Sequence, residues 1–174
     1  SWQGGRLPLS SEMSALIKQK LEESNSEVNQ GRELKALEPL LNVQRKLSKV
    51  PGKDEILMEL FRSEEGNHLF IYPFEGRYVH EGMAALLAYR ISMLFPISFS
   101  IAMNDYGFEL LTDKEIPIQD IFDNNLFSTE YLIEDILASV NATEMARRRF
   151  RDIAQIAGLT FQGFPGRLKN DRHL

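Results

Sequence analysis

Between residues 10 and 23, SSEMSALIKQKLEE, the apolar positions are Met13, Leu16, Ile17 and Leu21. Spacings of three and four place them on one side of an α-helix, and serine at the start can cap its free N–H groups. After the polar loop SNSEVNQGR, a second helical stretch from Glu33 to Leu47 is expected to break at Pro39. Proline lacks the N–H a helix interior needs and is better suited to starting a new helix. KVPGKD, residues 49–54, reads as a turn. The period then drops to two: Ile56, Met58 and Leu60 alternate with Leu57, Glu59 and Phe61, SEEGN turns the chain, and HLFIYP follows as a second strand.

A helix from about Tyr78 to Leu94 comes next. It carries Val79, Met83, Leu86, Leu87 and Ile91 on one side with Ala84, Ala85 and Ala88 beside them, so much of its circumference is apolar and it should be buried. PISFSIAMN alternates Ile97, Phe99, Ile101 and Met103 with Ser98, Ser100 and Ala102, and Asn104-Asp105-Tyr106-Gly107 turns it into FELLT. Three helical stretches close the chain: a short PIQDIFD, STEYLIEDILASV capped by Ser128, and NATEMARRRFRDIAQIAGL. In the last, Asn141 and Glu144 have capping-box spacing, and Ala146, Phe150, Ile153, Ala154 and Ala157 form one apolar stripe. The order strand, strand, helix, strand, strand predicts an α+β fold. Antiparallel β-hairpins should pack on a central buried helix, flanked by N-terminal and C-terminal helices. A division into a helical segment, 1–50, and an α+β core with C-terminal helices, 51–174, fits the same pattern.

Composition adds limits. With 43% hydrophobic and 26% charged residues, the 174-residue chain has the balance of a folded globular protein rather than a disordered one. No stretch approaches the roughly 18 apolar residues of a membrane span, and the start lacks a secretory layout, so no membrane partner and a cytoplasmic setting are expected. Without cysteine there is no disulfide, thiolate zinc site or thiol catalysis, and only His68, His80 and His173 could supply imidazole. The first residue is Ser1, which suggests a piece of something longer.

The chemistry-bearing stretches are few. His80-Glu81 resembles half of a zinc-protease helix, but the second histidine would have to stand at position 84, which is Ala84. Glu81 is better explained as an acid complementing the helix dipole. Gly76-Arg77, at a strand-to-helix junction, could let backbone N–H groups reach an anion. The Gly-Lys pair in PGKDE is no nucleotide loop, because Leu47 stands where the first glycine is required. No ATP site and no metal or cofactor site is expected in this chain. Charge is uneven: residues 141–174 hold seven Lys/Arg against three acids, a net of +4, while the rest carries −9 within a total of −5. Arg147, Arg148, Arg149 and Arg151 are the densest part of that end. Arg147 and Arg151 lack a local acidic partner on a helix, whereas Arg148 has Glu144 and Asp152. They either pair with the acidic remainder or meet phosphate, since the guanidinium fork suits both. At the other end SWQGGRLP presents Trp2 beside two glycines and Arg6, a base-stacking platform or a tryptophan closing the edge of the core.

Three segments in order, WQGGR, YPFEGRYVHEGMAALLAYR and ATEMARRRFRDIAQIAGLTFQGFPG, resemble the DEAD/H-associated region that follows the motor and winged-helix domains in Lhr-type DEXH-box helicases, particularly the DNA-ligase-associated branch. The resemblance covers nearly the whole chain. It implies a non-catalytic accessory region of an ATP-driven helicase, contacting single-stranded DNA (or RNA) during unwinding in DNA repair. ATP and magnesium would belong to the parent's motor, and partners would be that motor, the winged helix, and DNA ligase or other repair proteins. The residues matching its patterns are Trp2, Arg77, His80, Arg147, Arg148, Arg149 and Arg151; with Arg6 added from its place beside Trp2, the nucleic-acid contacts expected are Trp2, Arg6, Arg77, His80, Arg147, Arg148 and Arg151. The rival reading is a scaffold that docks the motor or a repair partner without touching DNA.

Overall fold

The computed structural model describes residues 7–26 and 31–142, with the side chains of Asn141 and Ala142 left aside. The first helix, α1, spans Ser11–Ser24, and the Ser10 hydroxyl accepts from the N–H of Met13 at 3.3 Å, the cap expected from the sequence. Its covered side carries Ser14, Ser24 and the partly buried Ile17 and Leu21, of which Leu21 packs on the α2 cluster, while Met13 and Leu16 are half exposed.

The second helix, α2, runs unbroken over Arg32–Leu47 with Pro39 inside it. The expected break does not occur. A mid-helix proline forfeits one hydrogen bond and crowds the preceding turn, at a cost of ~3 kcal/mol. Contacts on both sides of it oppose that cost: Leu34 and Leu41 are buried with Val50, and Arg45 reaches back to Glu38 at 3.1 Å and to the Ser24 carbonyl at 2.5 Å.

Two hairpins follow, β1 (Leu57–Arg62) with β2 (Asn67–Tyr72) and β3 (Ser100–Met103) with β4 (Phe108–Thr112), separated by helix α3 (Arg77–Leu94). They join into one antiparallel sheet of order β1-β2-β4-β3, because β2 pairs with β4 from Asn67↔Thr112 to Ile71↔Phe108. Leu69, Ile71, Phe108 and Leu110 point from its centre to the side where Ala84, Leu87 and Ile91 of α3 complete the core. At ~25 cal/mol per Å² of apolar surface, such layers supply most of the driving force for folding. Gly107 admits close approach between the hairpins: a Cβ there would lie 2.5 Å from the Ile71 carbonyl oxygen.

A short helix, α4 (Ile118–Asp123), seals the core with Ile121, and α5 (Leu132–Ala142) packs along α3. Ser128 does not cap α5. Its hydroxyl accepts from Glu130 N–H at 3.1 Å in a tight turn, and the helix begins only after Tyr131, whose φ is +54°. Asn141 is helical within α5. The arginine-rich stretch expected to be helical lies outside the described residues. The fold is thus α+β, and among the described residues no helix is long and apolar enough to cross a membrane.

Candidate nucleic-acid interface

The β2–α3 junction, where glycine and arginine suggest an anion site, is built on a tight reversal. Phe74 has φ +57° and its N–H donates to the Tyr106 carbonyl at 3.1 Å, tying the junction to the turn between β3 and β4. Gly76, at φ +85°, lies against the N-terminal segment so closely that a Cβ would meet the Leu9 carbonyl oxygen at 2.8 Å. The chain then enters α3 at Arg77.

An anion does sit at this helix N-terminus, and it is the protein's own. One Asp105 carboxylate oxygen accepts from the Arg77 backbone N–H at 3.2 Å, from Arg77 Nε at 3.0 Å and from Leu9 N–H at 3.4 Å; the other takes Arg77 Nη2 at 2.7 Å. The guanidinium, the backbone N–H groups and the attraction of the pair hold the Asp105 carboxyl down at about 2, from an ordinary 3.8. Arg77 is raised in turn, chiefly by the same hydrogen bonds. Glu81 falls in the second turn, so Asp105, not Glu81, provides the negative group facing the positive end of α3.

His80 is fully buried. Its Nε2 accepts from Glu75 N–H at 3.0 Å, which leaves Nδ1 to carry the proton and donate to the Asn104 carbonyl at 2.7 Å. Both ring nitrogens therefore serve the same knot of two loops, and Lys18 adds an ion pair from α1 to Glu75. The expectation that His80 touches nucleic acid is corrected: a ring with no exposed atom and no spare nitrogen has none to offer. Arg77 likewise has a protein carboxylate where a phosphate was envisaged. Trp2, Arg6, Arg147, Arg148, Arg149 and Arg151 lie outside the described residues.

On the far face of the sheet from α3, Phe61, His68, Phe70 and Tyr72 form a ladder with ring planes within 4–11° of parallel and neighbouring centroids 4.5–6.1 Å apart. His68 is held in it by Glu109 on Nδ1 at 2.5 Å and by the Ser63 hydroxyl on Nε2 at 2.6 Å. Phe61 in this ladder is half exposed, and Glu59 and Glu109 lie on the same face. The burial of Tyr72 and those two carboxylates push its phenol upward. This surface does not suit a phosphate backbone.

Sequence reasoning missed Asp105, read only as part of a turn, and Arg90. The latter was detectable as a lone cation in an otherwise apolar stretch of α3, a pattern that demands a buried partner. Arg90 pairs with Asp135 at 2.9 Å and donates to the carbonyls of Leu126, Ser128 and Glu130 at 2.8, 2.7 and 3.2 Å.

Comparison with known proteins gives this geometry a lineage. The chain is 27% identical over 163 residues to the ATP-dependent helicase Lhr-Core of Methanocaldococcus jannaschii, covering 88% of this chain and 19% of that protein. It is 32% identical over 127 residues to the Lhr helicase/uracil glycosylase of Escherichia coli, covering 71% of this chain and 8% of that one. Its fold is similar to that in the structure of Mycobacterium smegmatis helicase Lhr bound to ssDNA and AMP-PNP, with a TM-score of 0.66, 22% identity, and coverage of 88% of this chain and 21% of that chain. The chain thus spans about a fifth or less of the length of these relatives. The family model described as DEAD/H associated matches residues 50–174, most of the sequence, and the chain belongs to that family.

Proposed function

We propose that this chain is the accessory region of an Lhr-type ATP-dependent DNA helicase, and that it contacts the single strand along which the parent's motor moves. The observation that carries this reading is the shared fold with a helicase Lhr bound to ssDNA, which extends over 88% of this chain. The whole chain acts as one accessory region, residues 1–50 as a helical segment and 51–174 as the α+β core. ATP and Mg²⁺ are used by the parent's motor, beside the winged helix. Repair in the cytoplasm, with DNA ligase or another repair protein as a partner, completes the reading.

Electrostatics narrow where the strand runs. From Glu115 to Ala142 the chain has six acidic residues and no Lys or Arg, so this side repels phosphate. Arg77 is occupied by Asp105. The contact is therefore assigned to Trp2 as a stacking platform, with Arg6, Arg147, Arg148 and Arg151 as phosphate partners.

The test is fluorescence anisotropy of a labelled oligonucleotide with the full-length parent over a salt series. Removing a stacked indole costs ~1–3 kcal/mol, so Trp2→Ala should weaken binding about five-fold or more. Each arginine taken away from a single-strand phosphate should flatten the salt slope by ~0.7, so Arg147→Ala/Arg151→Ala should reduce it by about 1.4. Unchanged affinity and slope in both variants would remove the DNA reading and leave the scaffold.

A further inference from the structure

At the β1–β2 turn the fold brings together a serine, a histidine and a carboxylate that no spacing in the sequence announces. Glu109 lies opposite Phe70, two places along β2 from His68, so its carboxylate reaches the imidazole diagonally across the strand pair. Its Oε1 takes the proton-bearing Nδ1 at 2.5 Å. With the proton held on Nδ1, Nε2 presents a lone pair, and the Ser63 hydroxyl lies 2.6 Å from it. Glu65 N–H donates to Ser63 Oγ at 3.0 Å from within the turn, which leaves the hydroxyl's own hydrogen to point at Nε2.

The sheet holds these groups in place. Ser63 N–H donates to the Gly66 carbonyl at 2.8 Å and closes the turn, and Gly66, at φ +142°, lies so close to β4 that a Cβ would stand 2.3 Å from the Thr112 carbonyl oxygen. Phe61 stacks on the imidazole with ring centroids 4.5 Å apart and planes within 9° of parallel, which fixes the plane of the ring. His68 is 6% exposed and spends both nitrogens inside the constellation, whereas Ser63 is exposed. A buried, oriented base beneath an open hydroxyl is the arrangement a nucleophilic serine requires.

We propose that Ser63 is a covalent modification site, separate from any strand contact: a hydroxyl activated by His68 that takes an acyl group from an uncharged, activated ester. Oγ attacks the ester carbonyl and the Oγ–C bond forms as its proton passes to Nε2. The imidazolium, countered by the Glu109 carboxylate, returns that proton to the departing alcohol oxygen as the ester C–O bond breaks. The products are acyl-Ser63 and the free alcohol, with nothing oxidised or reduced. Glu109 acts through His68 and is a positioning residue. The surroundings select the donor. Glu59 and Glu109 lie on this face of the sheet while Arg62, the cation of β1, alternates to the other, so an anionic donor is disfavoured. The half-exposed Phe61 ring gives the apolar part of an uncharged ester a surface to rest on.

The experiment treats the full-length parent with para-nitrophenyl acetate and follows acetylation of individual serines by peptide mass spectrometry over time. A positioned general base is worth ~10²–10⁴ in rate, so Ser63 should be acetylated at least about 100-fold faster than Ser98, an exposed serine of the same chain. His68→Ala should bring Ser63 down to the rate of Ser98, and added imidazole should restore part of the difference, which it would not do for a histidine that only supports the fold. Glu109→Gln should slow the reaction at least about ten-fold by removing the charge that fixes the tautomer, with Glu109→Asp returning part of it. Equal rates on Ser63 and Ser98, a Ser63 rate indifferent to His68→Ala, or no recovery with imidazole overturns the proposal. The comparison of the two serines uses no substitution, so it decides the matter even where a variant fails to fold.

Discussion

Replacing Asp105 by Asn isolates the charge at the start of α3, because asparagine can still cap the Arg77 N–H while losing the ion pair. The Asp105 carboxyl lies at about 2 in the folded chain, against 3.8 ordinarily. At ~1.36 kcal/mol per unit, that difference corresponds to roughly 2 kcal/mol if fully expressed. The side chains of Asp105 and Arg77 are 23% and 32% exposed, so solvent and salt screen the pair and ~1 kcal/mol is the realistic loss. A folded-state value below the unfolded one means that the stabilisation is present above pH 3.8 and disappears as pH falls toward 2. The assay is urea unfolding of the chain and of Asp105→Asn at intervals from pH 6 to 2, with the difference between them plotted. Acid effects on other carboxylates are common to both proteins and cancel. A constant gap between pH 6 and 4 that closes toward pH 2 is expected. A gap that persists unchanged to the lowest pH would show that the charge at this helix end is not what holds the loops.

Two other substitutions address the knot and the helix that resists its proline. His80→Ala removes both an acceptor for Glu75 N–H and a donor for the Asn104 carbonyl from a fully buried site, so a loss of about 2–4 kcal/mol in chemical denaturation is expected; a loss under 0.5 kcal/mol would mean that water or a rearranged loop replaces the ring. Pro39→Ala returns a hydrogen-bond donor to the interior of α2 and should raise thermal stability by about 1–3 kcal/mol, whereas a fall would show that proline stabilises the native chain through the unfolded state.

The strands and the buried helix were legible because period-two alternation and an almost wholly apolar circumference leave few alternatives. What alternation could not say is that β2 lies beside β4. Periodicity assigns each residue a face but not a neighbour, and the joining of the hairpins depends on a pairing whose ends, Asn67 and Thr112, are 45 positions apart. Pro39 and Ser128 misled for a shared reason. Each has a strong local preference, and each was outweighed by contacts from elsewhere: Arg45 bridging Glu38 and Ser24 in one case, Arg90 fixing the loop before Tyr131 in the other.

The site was legible in part, and in an instructive way. The sequence marked the junction at Gly76 as a place where backbone N–H groups could reach an anion, and in the structure the Arg77 N–H meets the carboxylate of Asp105. Residue type alone could not tell that the anion would arrive within the chain, because Asp105 lies 28 positions beyond Arg77 in a turn whose composition already explained itself. A guanidinium and an imidazole beside a helix N-terminus suit a phosphate or a carboxylate equally well. The choice between them is made by tertiary structure. Here the β3–β4 turn delivers Asp105 to the same corner, with two side-chain bonds to Arg77 and bonds to two backbone N–H groups. An external phosphate at that corner would have to displace all four. Mutagenesis aimed at strand binding therefore belongs at the basic end of the chain, Arg147 to Arg151, and not at the glycine corner.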